Sequence, residues 1–432
     1  MRLYRYEDCL ILSEQSIRDL EKNRIFPEPD DDFGDIHALY YAVRTGTHAK
    51  VLTRFVDDSD AMEAKENLAY LVDHKRGRSI VSELEAYLPV HLIQALRSLK
   101  AFFINIDAPG WRETIGRLPL ARPAKVNIMG LGDVGSTLAI GLLLQGEKSI
   151  EEIGLYDLDE KRIQRWVIEL GQIARGSGDN FPKVRGLKHD ELMDCDVFAF
   201  TATAGIPPLS VTTGDVRIVQ YEGNSRIVDE YARMAREKKF RGLFAVVSDP
   251  VDLLSRRAYD SSNRNEQGVF DQKGLRPEQV MGFGLGVMYG RARYFARALD
   301  VSFEHGRAYG PHGKGLVVAN DALRGQYDQK LSEKLTKMTV EANLEIRELG
   351  FKPYIAPALA SGALSILDAI EGQWHYSCVS IGGVYFGCRN RLTPYGLEVE
   401  RKSMDPKLVR RITAAYEELE NQWRFLQSSA LD

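Results

Sequence analysis

The stretch Lys125–Ala139, KVNIMGLGDVGSTLA, decides how this chain is read. A short apolar run enters the glycines of Gly130-Leu131-Gly132-Asp133-Val134-Gly135, and an apolar segment of helical character follows. G-x-G-x-x-G by itself is a loose pattern, because glycine-rich turns are common. Its position between a strand and a helix is the context that gives it meaning. The first glycine makes the tight turn, the second lets the backbone approach a pyrophosphate, and the third lets helix and strand pack closely. The free N–H groups and positive end of the helix, opening at Asp133 and Val134, then face the phosphates. An acid is expected at the end of the next strand, about 20 residues on. Asp157 in GLYDLD stands there, 22 residues past Gly135. A carboxylate in that place accepts hydrogen bonds from ribose hydroxyls and repels a 2′-phosphate, which favours NAD(H). Asp159 competes for the role, and an exposed loop acid is the plain alternative.

Outward from this motif the pattern alternates. IEEIGLYDLD (150–159) reads as a second strand followed by the helix EKRIQRWVIELGQIA. CDVFAFTATAG begins a third strand at Cys195, and FRGLFAVVSDPVD (240–252) supplies another. Strands alternating with helices predict an α/β fold, a parallel sheet with helices on both faces. The C-terminal third carries amphipathic helices at 332–349 and 405–427, the latter with Asp405 as a cap before Pro406. Residues before about 120 read as a small α+β domain, with helical patches at 60–73 and 80–99, a strand at 101–106 and an acidic loop at 28–35. The segment 108–124, with proline near both ends, reads as a linker. The expected organisation is an N-terminal domain of unknown role (1–120), a Rossmann-type domain (121–275) and a mixed α+β substrate domain (276–432).

The totals narrow the class. With 57 Lys+Arg against 61 Asp+Glu, the net charge of -4 lacks the basic footprint of a nucleic-acid binder. No apolar run is long enough to span a bilayer, and the first residues, MRLYRYEDCL, lack the apolar core of a signal peptide. The four cysteines form no C-x-x-C pair, which suits a reducing, cytoplasmic setting. His375 and Cys378, three apart, would share a helix face. Two such residues do not close a zinc site, so no metal is expected.

The segments GLGDVGSTLA, LYDLDEKR, TATAGIPP, VVSDPVDLL, VMGFGLGVMYGRARYFARAL and YGPHGKG, in that order, resemble the lactate/malate dehydrogenase family over roughly 125–425. The resemblance implies hydride transfer between nicotinamide and C2 of a 2-hydroxy or 2-oxo acid by a homodimer or homotetramer. Thr203, Ala204 and Gly205 in the TATAG turn would border the cofactor. His312 in YGPHGKG would be the proton donor and acceptor, where the plain reading is a turn with an incidental imidazole. Arg291 would grip the substrate carboxylate; Arg293 is the alternative, and a surface cation the plain reading. Arg217, Asn224 and Ile227 keep the spacing of the family's mobile loop. That gives Arg217 the task of polarising the carbonyl and puts Asn224 near the nicotinamide and substrate, against an amphipathic helix with exposed polar residues.

Three departures bear on chemistry. The family's acid three residues before the carboxylate-binding Arg is here Met288, which cannot orient an imidazole. The family's Asn before Pro is here Asp249, so a carboxylate has entered as another has left. Asp249 would partner His312 or a cationic substrate group, or merely cap the turn before Pro250. The loop position that grips a second carboxylate in malate enzymes is Pro208, in a loop about three residues longer than the family pattern. With Leu209 and Val211 nearby, a less polar or larger substrate is expected. Lys314 adds a positive charge where the family often has an acid. Two other readings stay open: a silent NAD(H)-binding paralogue acting as sensor or scaffold, and an enzyme that uses tightly held NAD for transient oxidation with a metal.

Overall fold

The computed structural model describes residues 2–26, 35–44, 46, 53–56, 67–71, 90, 93, 100–115, 123–205, 216–351 and 356–429. Most of the helical readings at 60–73 and 80–99 and of the loop reading at 28–35 lie outside these residues, as do Pro208, Leu209 and Val211. The chain divides into two compact units. The first comprises Met1–Pro119, Ile381–Gly383 and Leu392–Ser403, and the second Leu120–Ser380, Val384–Arg391 and Met404–Asp432.

In the first unit, strands β1 (Arg2–Tyr6), β2 (Cys9–Ser13), β3 (Arg24–Ile25), β4 (Ala38–Val43), β5 (Thr53–Val56) and β6 (Lys100–Asn105) form one sheet in the order β3-β1-β2-β4-β6-β5. β2, β4 and β6 run parallel, and β1, β3 and β5 are antiparallel to their neighbours. Tyr4, Ile11, Tyr40 and Phe102 are fully buried on one face. The 108–124 stretch is not wholly a linker. Trp111–Thr114 forms a 3-10 turn, and Trp111 and Ile115 are buried in this core. An aromatic residue in an otherwise polar, proline-flanked segment gains more from burial than it loses in chain entropy.

The second unit is doubly wound. Strands β7 (Ala124–Met129), β8 (Ile150–Tyr156), β9 (Lys183–Gly186), β10 (Val197–Phe200), β11 (Leu243–Val246) and β12 (Val280–Gly282) pair in parallel in the order β9-β8-β7-β10-β11-β12. Counted from β7 this is 3-2-1-4-5-6, the dinucleotide-binding order, with its switch point between β7 and β10. β10 and β11 read as unbroken apolar runs because helices cover both faces. Past β13 (Arg307–Tyr309) and β14 (Val317–Ala319), a two-stranded sheet, the main sheet continues antiparallel through β15 (His375–Ile381) into β16 (Val384–Thr393).

The helices are α1 (Asp133–Gln145), α2 (Glu160–Gly171), α3 (Val216–Glu237), α4 (Val251–Ser262), α5 (Leu285–Ala298), α6 (Gln329–Glu348), α7 (Ala356–Ile370) and α8 (Pro406–Ser429). A side chain at Gly141 of α1 would stand 2.6 Å from Ala363 of α7, so small residues let those two helices meet. Asp405 caps α8, accepting from Lys407 N–H at 2.8 Å. Leu408, Ile412, Leu419 and Trp423 form its buried stripe. His375 and Cys378 do not share a helix face. They lie on β15, where an odd spacing sends side chains to opposite faces. Among the described residues no helix is long and apolar enough to cross a membrane.

Candidate active site

At the carboxyl end of β7, Gly130 has φ +96, and a Cβ there would meet Ala202 N at 2.8 Å. Only glycine serves this turn. A Cβ on Gly135 would lie 1.8 Å from Gly130 O, so α1 starts directly against the strand end. Gly132 differs: it is exposed, and nothing stands within 4 Å of where its Cβ would be. This open cradle at the helix N-terminus, beside exposed Asp133 and half-buried Val134, fits a pyrophosphate. Thr201 Oγ1 braces the turn by donating to Gly130 O at 2.5 Å.

Asp157 lies at the end of β8 with its carboxylate 10 % exposed. Its Oδ2 accepts from Leu131 N–H at 2.8 Å and its Oδ1 from Asp159 N–H at 3.1 Å, while Arg162 approaches to 3.2 Å. The acid therefore shapes the glycine loop. Asp159 is instead the N-cap of α2, accepting from Lys161 N–H.

A cleft of about 210 Å³ runs from this loop to the end of β11. Gly132, Asp133, Val134 and Thr203 line its one end, and Asp249, Phe283, Gly284 and His312 the other. Ala204 and Gly205 continue the exposed turn beside Thr203. Asn224, 1 % exposed on α3, spans the walls: its Oδ1 accepts from Ala204 N–H and its Nδ2 donates to Asp249 O, both at 2.7 Å. Its amide works as a strut between the loops after β10 and β11. A bidentate pair of Arg257 on α4 with Asp229 on α3, both contacts 2.6 Å, holds those helices together behind it.

His312 Nδ1 stands 2.9 Å from Asp249 Oδ1, and the two side chains are 18 % and 50 % exposed. The backbone N–H of His312 donates to Asp252 Oδ2 at 3.0 Å. The ring lies against Gly284, whose missing Cβ would be 2.9 Å from His312 Cγ. Met288 does not reach for the ring. It is buried among Leu285, Ala292 and Phe295 on the inner face of α5. Arg291, one turn on, is half-buried, and its Nε is shielded from solvent with no hydrogen-bond partner among the described residues. Burial pulls its guanidinium below the ordinary arginine pKa, and the charge of Asp249 opposes that shift. Arg293 is exposed. Arg217 falls in the first turn of α3, with its side chain outside the described residues. No set of three or more His, Cys, Asp or Glu among the described residues could hold a metal.

Sequence reasoning missed Asp252 and Gly284. The signal for Asp252 was an acid inside the apolar helix start V-D-L-L; Gly284 carried none beyond being a glycine.

Residues 124–271 match the family model described as lactate/malate dehydrogenase, NAD binding domain. An L-lactate dehydrogenase 2 of Listeria innocua is 31 % identical over 244 residues, which is 54 % of this chain and 72 % of the relative. The chain belongs to the lactate/malate dehydrogenase family. Lactate/malate dehydrogenase structures share its fold at lower identity. A minor L-lactate dehydrogenase of Enterococcus mundtii aligns with TM-score 0.56 at 20 % identity, over 70 % of this chain and 98 % of that one. A malate dehydrogenase of Archaeoglobus fulgidus, solved in complex with NADH, aligns with TM-score 0.55 at 19 % identity, over 70 % and 99 %. The lactate/malate dehydrogenase family is one of NAD-dependent oxidoreductases, and NAD is the dinucleotide of this fold.

Proposed function

We propose that this protein is an NAD-dependent dehydrogenase that moves a hydride between NAD(H) and C2 of a 2-hydroxy or 2-oxo acid. The observation that carries the reading is the 2.9 Å contact of His312 with Asp249 in the same cleft as the Gly132–Val134 cradle. NAD, when bound, supplies or accepts the hydride; the remaining work belongs to the chain. His312 gives a proton to the 2-oxo oxygen as charge develops there, and removes the hydroxyl proton in reverse. Asp249 steadies the imidazolium and selects its tautomer, the work the family's acid does from the position of Met288. Arg291 takes the substrate carboxylate in a bidentate pair, which relieves a buried guanidinium nitrogen that has no hydrogen-bond partner among the described residues. Arg217 closes over the carbonyl. Pro208 offers no charge for a second carboxylate, so a monocarboxylic acid is the expected substrate.

The test is an NADH fluorescence titration followed by a panel of 2-oxo acids read at the NADH absorbance band. NADH binding with turnover of a monocarboxylic 2-oxo acid is expected. Arg291→Ala should then raise KM by about 100-fold or more with little change in NADH affinity, since a charge-assisted bidentate pair is lost. Binding without turnover across the panel would return the silent paralogue, and absence of NADH binding would overturn the reading entirely.

A further inference from the structure

Behind His312 lies a second cleft of about 230 Å³. The corner between β11 and α4 serves both clefts by alternation: Asp249 and Val251 line the first, Pro250, Asp252 and Leu253 the second. His312 lines both. The opposite wall is the last part of α8, with Leu419, Phe425 and Leu426 giving apolar surface and Glu418, Asn421 and Gln422 the polar groups. Gln422 Nε2 donates to Glu418 Oε1 at 3.1 Å. The polar lining thus consists of two carboxylates, Asp252 and Glu418, two amides and the His312 imidazole, with no Lys or Arg among the described residues that form it.

This lining selects by charge. An apolar body is favoured by Leu253, Leu419 and Phe425, and a hydrogen-bond donor or cation by the carboxylates. An anionic end would meet the like charge of Asp252 and Glu418 with no Lys or Arg among the described lining residues to answer it. The first cleft already has to hold the nicotinamide and the reacting carbon, because the phosphate cradle and His312 share it. We propose that the second cleft takes the distal part of the substrate, an apolar chain ending in a hydroxyl, amide or ammonium group, and that α8 is therefore a specificity element. This deepens the dehydrogenase reading and rests on it. His312, common to both clefts, is the point from which a molecule with its reacting carbon at the imidazole reaches the recess.

The experiment compares NADH-dependent reduction of a short 2-oxo acid with longer ones of matched length ending in methyl, hydroxyl, ammonium or carboxylate. Wild-type protein is set beside Gln422→Trp, which narrows the recess from the half-buried face of α8 and leaves the cofactor cradle untouched. Donor-ended chains should exceed the short acid in kcat/KM by about tenfold or more, and carboxylate-ended chains should fall below it. Gln422→Trp should remove that advantage while leaving the short acid and NADH affinity as in wild type. Reduction of the short acid with no gain from any tail, or an advantage that survives Gln422→Trp, would overturn the recess and leave the dehydrogenase reading standing. A separate titration of the NADH complex with N-substituted oxamates, which are not reduced, reads the recess without turnover. Tail-dependent binding lost in Gln422→Trp but with no acid reduced would keep the recess and overturn the reaction. A donor-ended amine without the 2-oxo acid group that inhibits non-competitively would show a separate effector site and overturn the substrate assignment.

Discussion

Asp249→Asn removes a charge and keeps the shape, so it isolates what the carboxylate does for His312. The amide oxygen can still accept from an Nδ1 proton, and the backbone contact of Asp249 O with Asn224 is untouched. What disappears is one negative charge 2.9 Å from the ring nitrogen. At that separation two unit charges attract by roughly 1.4 kcal/mol in bulk water and by roughly 6 kcal/mol at an effective dielectric constant of ~20. The Asp249 side chain is 50 % exposed, so water screens the pair and the lower part of that range applies. A loss of about 2–3 kcal/mol in stabilising the imidazolium is expected, a fall of about 30- to 150-fold in kcat. This is less than the ~10⁴-fold loss on neutralising the deeply buried acid of a serine-protease triad. The assay is steady-state NADH oxidation with the best 2-oxo acid of the panel, alongside NADH affinity by fluorescence, which should hold. A variant whose kcat stays within about threefold of wild type would refute the reasoning, and Asp249 would then be no more than a turn cap before Pro250.

Gly284→Ala should lower kcat with unchanged NADH affinity, because the new methyl would stand 2.9 Å from His312 Cγ and turn the ring away from Asp249; turnover like wild type would show that the ring has room to move. Gly132→Ala and Gly135→Ala should separate. The first meets open space, so it should fold normally and weaken NADH binding, whereas the second drives a Cβ to 1.8 Å from Gly130 O and should cost about 1–3 kcal/mol or more in thermal stability. Burial pulls the His375 imidazole down to about 4 from its ordinary 6.5. The unfolded chain therefore takes up a proton that the folded one refuses, and this contribution to stability is whole above pH ~6.5 and lost as pH falls toward ~4, by about 3 kcal/mol. Urea unfolding at neutral and acid pH reads the effect, and a His375→Gln protein with the same pH dependence as wild type would sink it.

Much of the cofactor half was legible because its constraints are local. The turn at Gly130, the open backbone at Gly132 and the packing contact at Gly135 are each imposed within a few residues, and the strand-glycine-helix order advertises them. Asp157 was legible as an acid at a strand end, and only the hydrogen bond from Lys161 N–H shows Asp159 as the cap of α2. Within the segment 108–124 the part around Trp111 was misread as linker because proline and polarity outweighed an aromatic residue whose burial depends on a sheet assembled from distant strands. His375 and Cys378 were misplaced on a helix because a short apolar run carries no period that separates helix from strand.

The sequence by itself determined the doubly wound class, the glycine turn between strand and helix and the roster of polar residues in the candidate site, since hydrophobic period and glycine placement are written in neighbouring residues. Only the tertiary structure decided how that roster is joined. Asp249 and His312 are 63 residues apart in the chain and 2.9 Å apart in space. Asp252 reaches the backbone of the same histidine, Met288 turns into the core, and α8 closes a second cleft behind the ring. Such contacts are set by strand order and helix packing, which bring together residues that no local pattern relates.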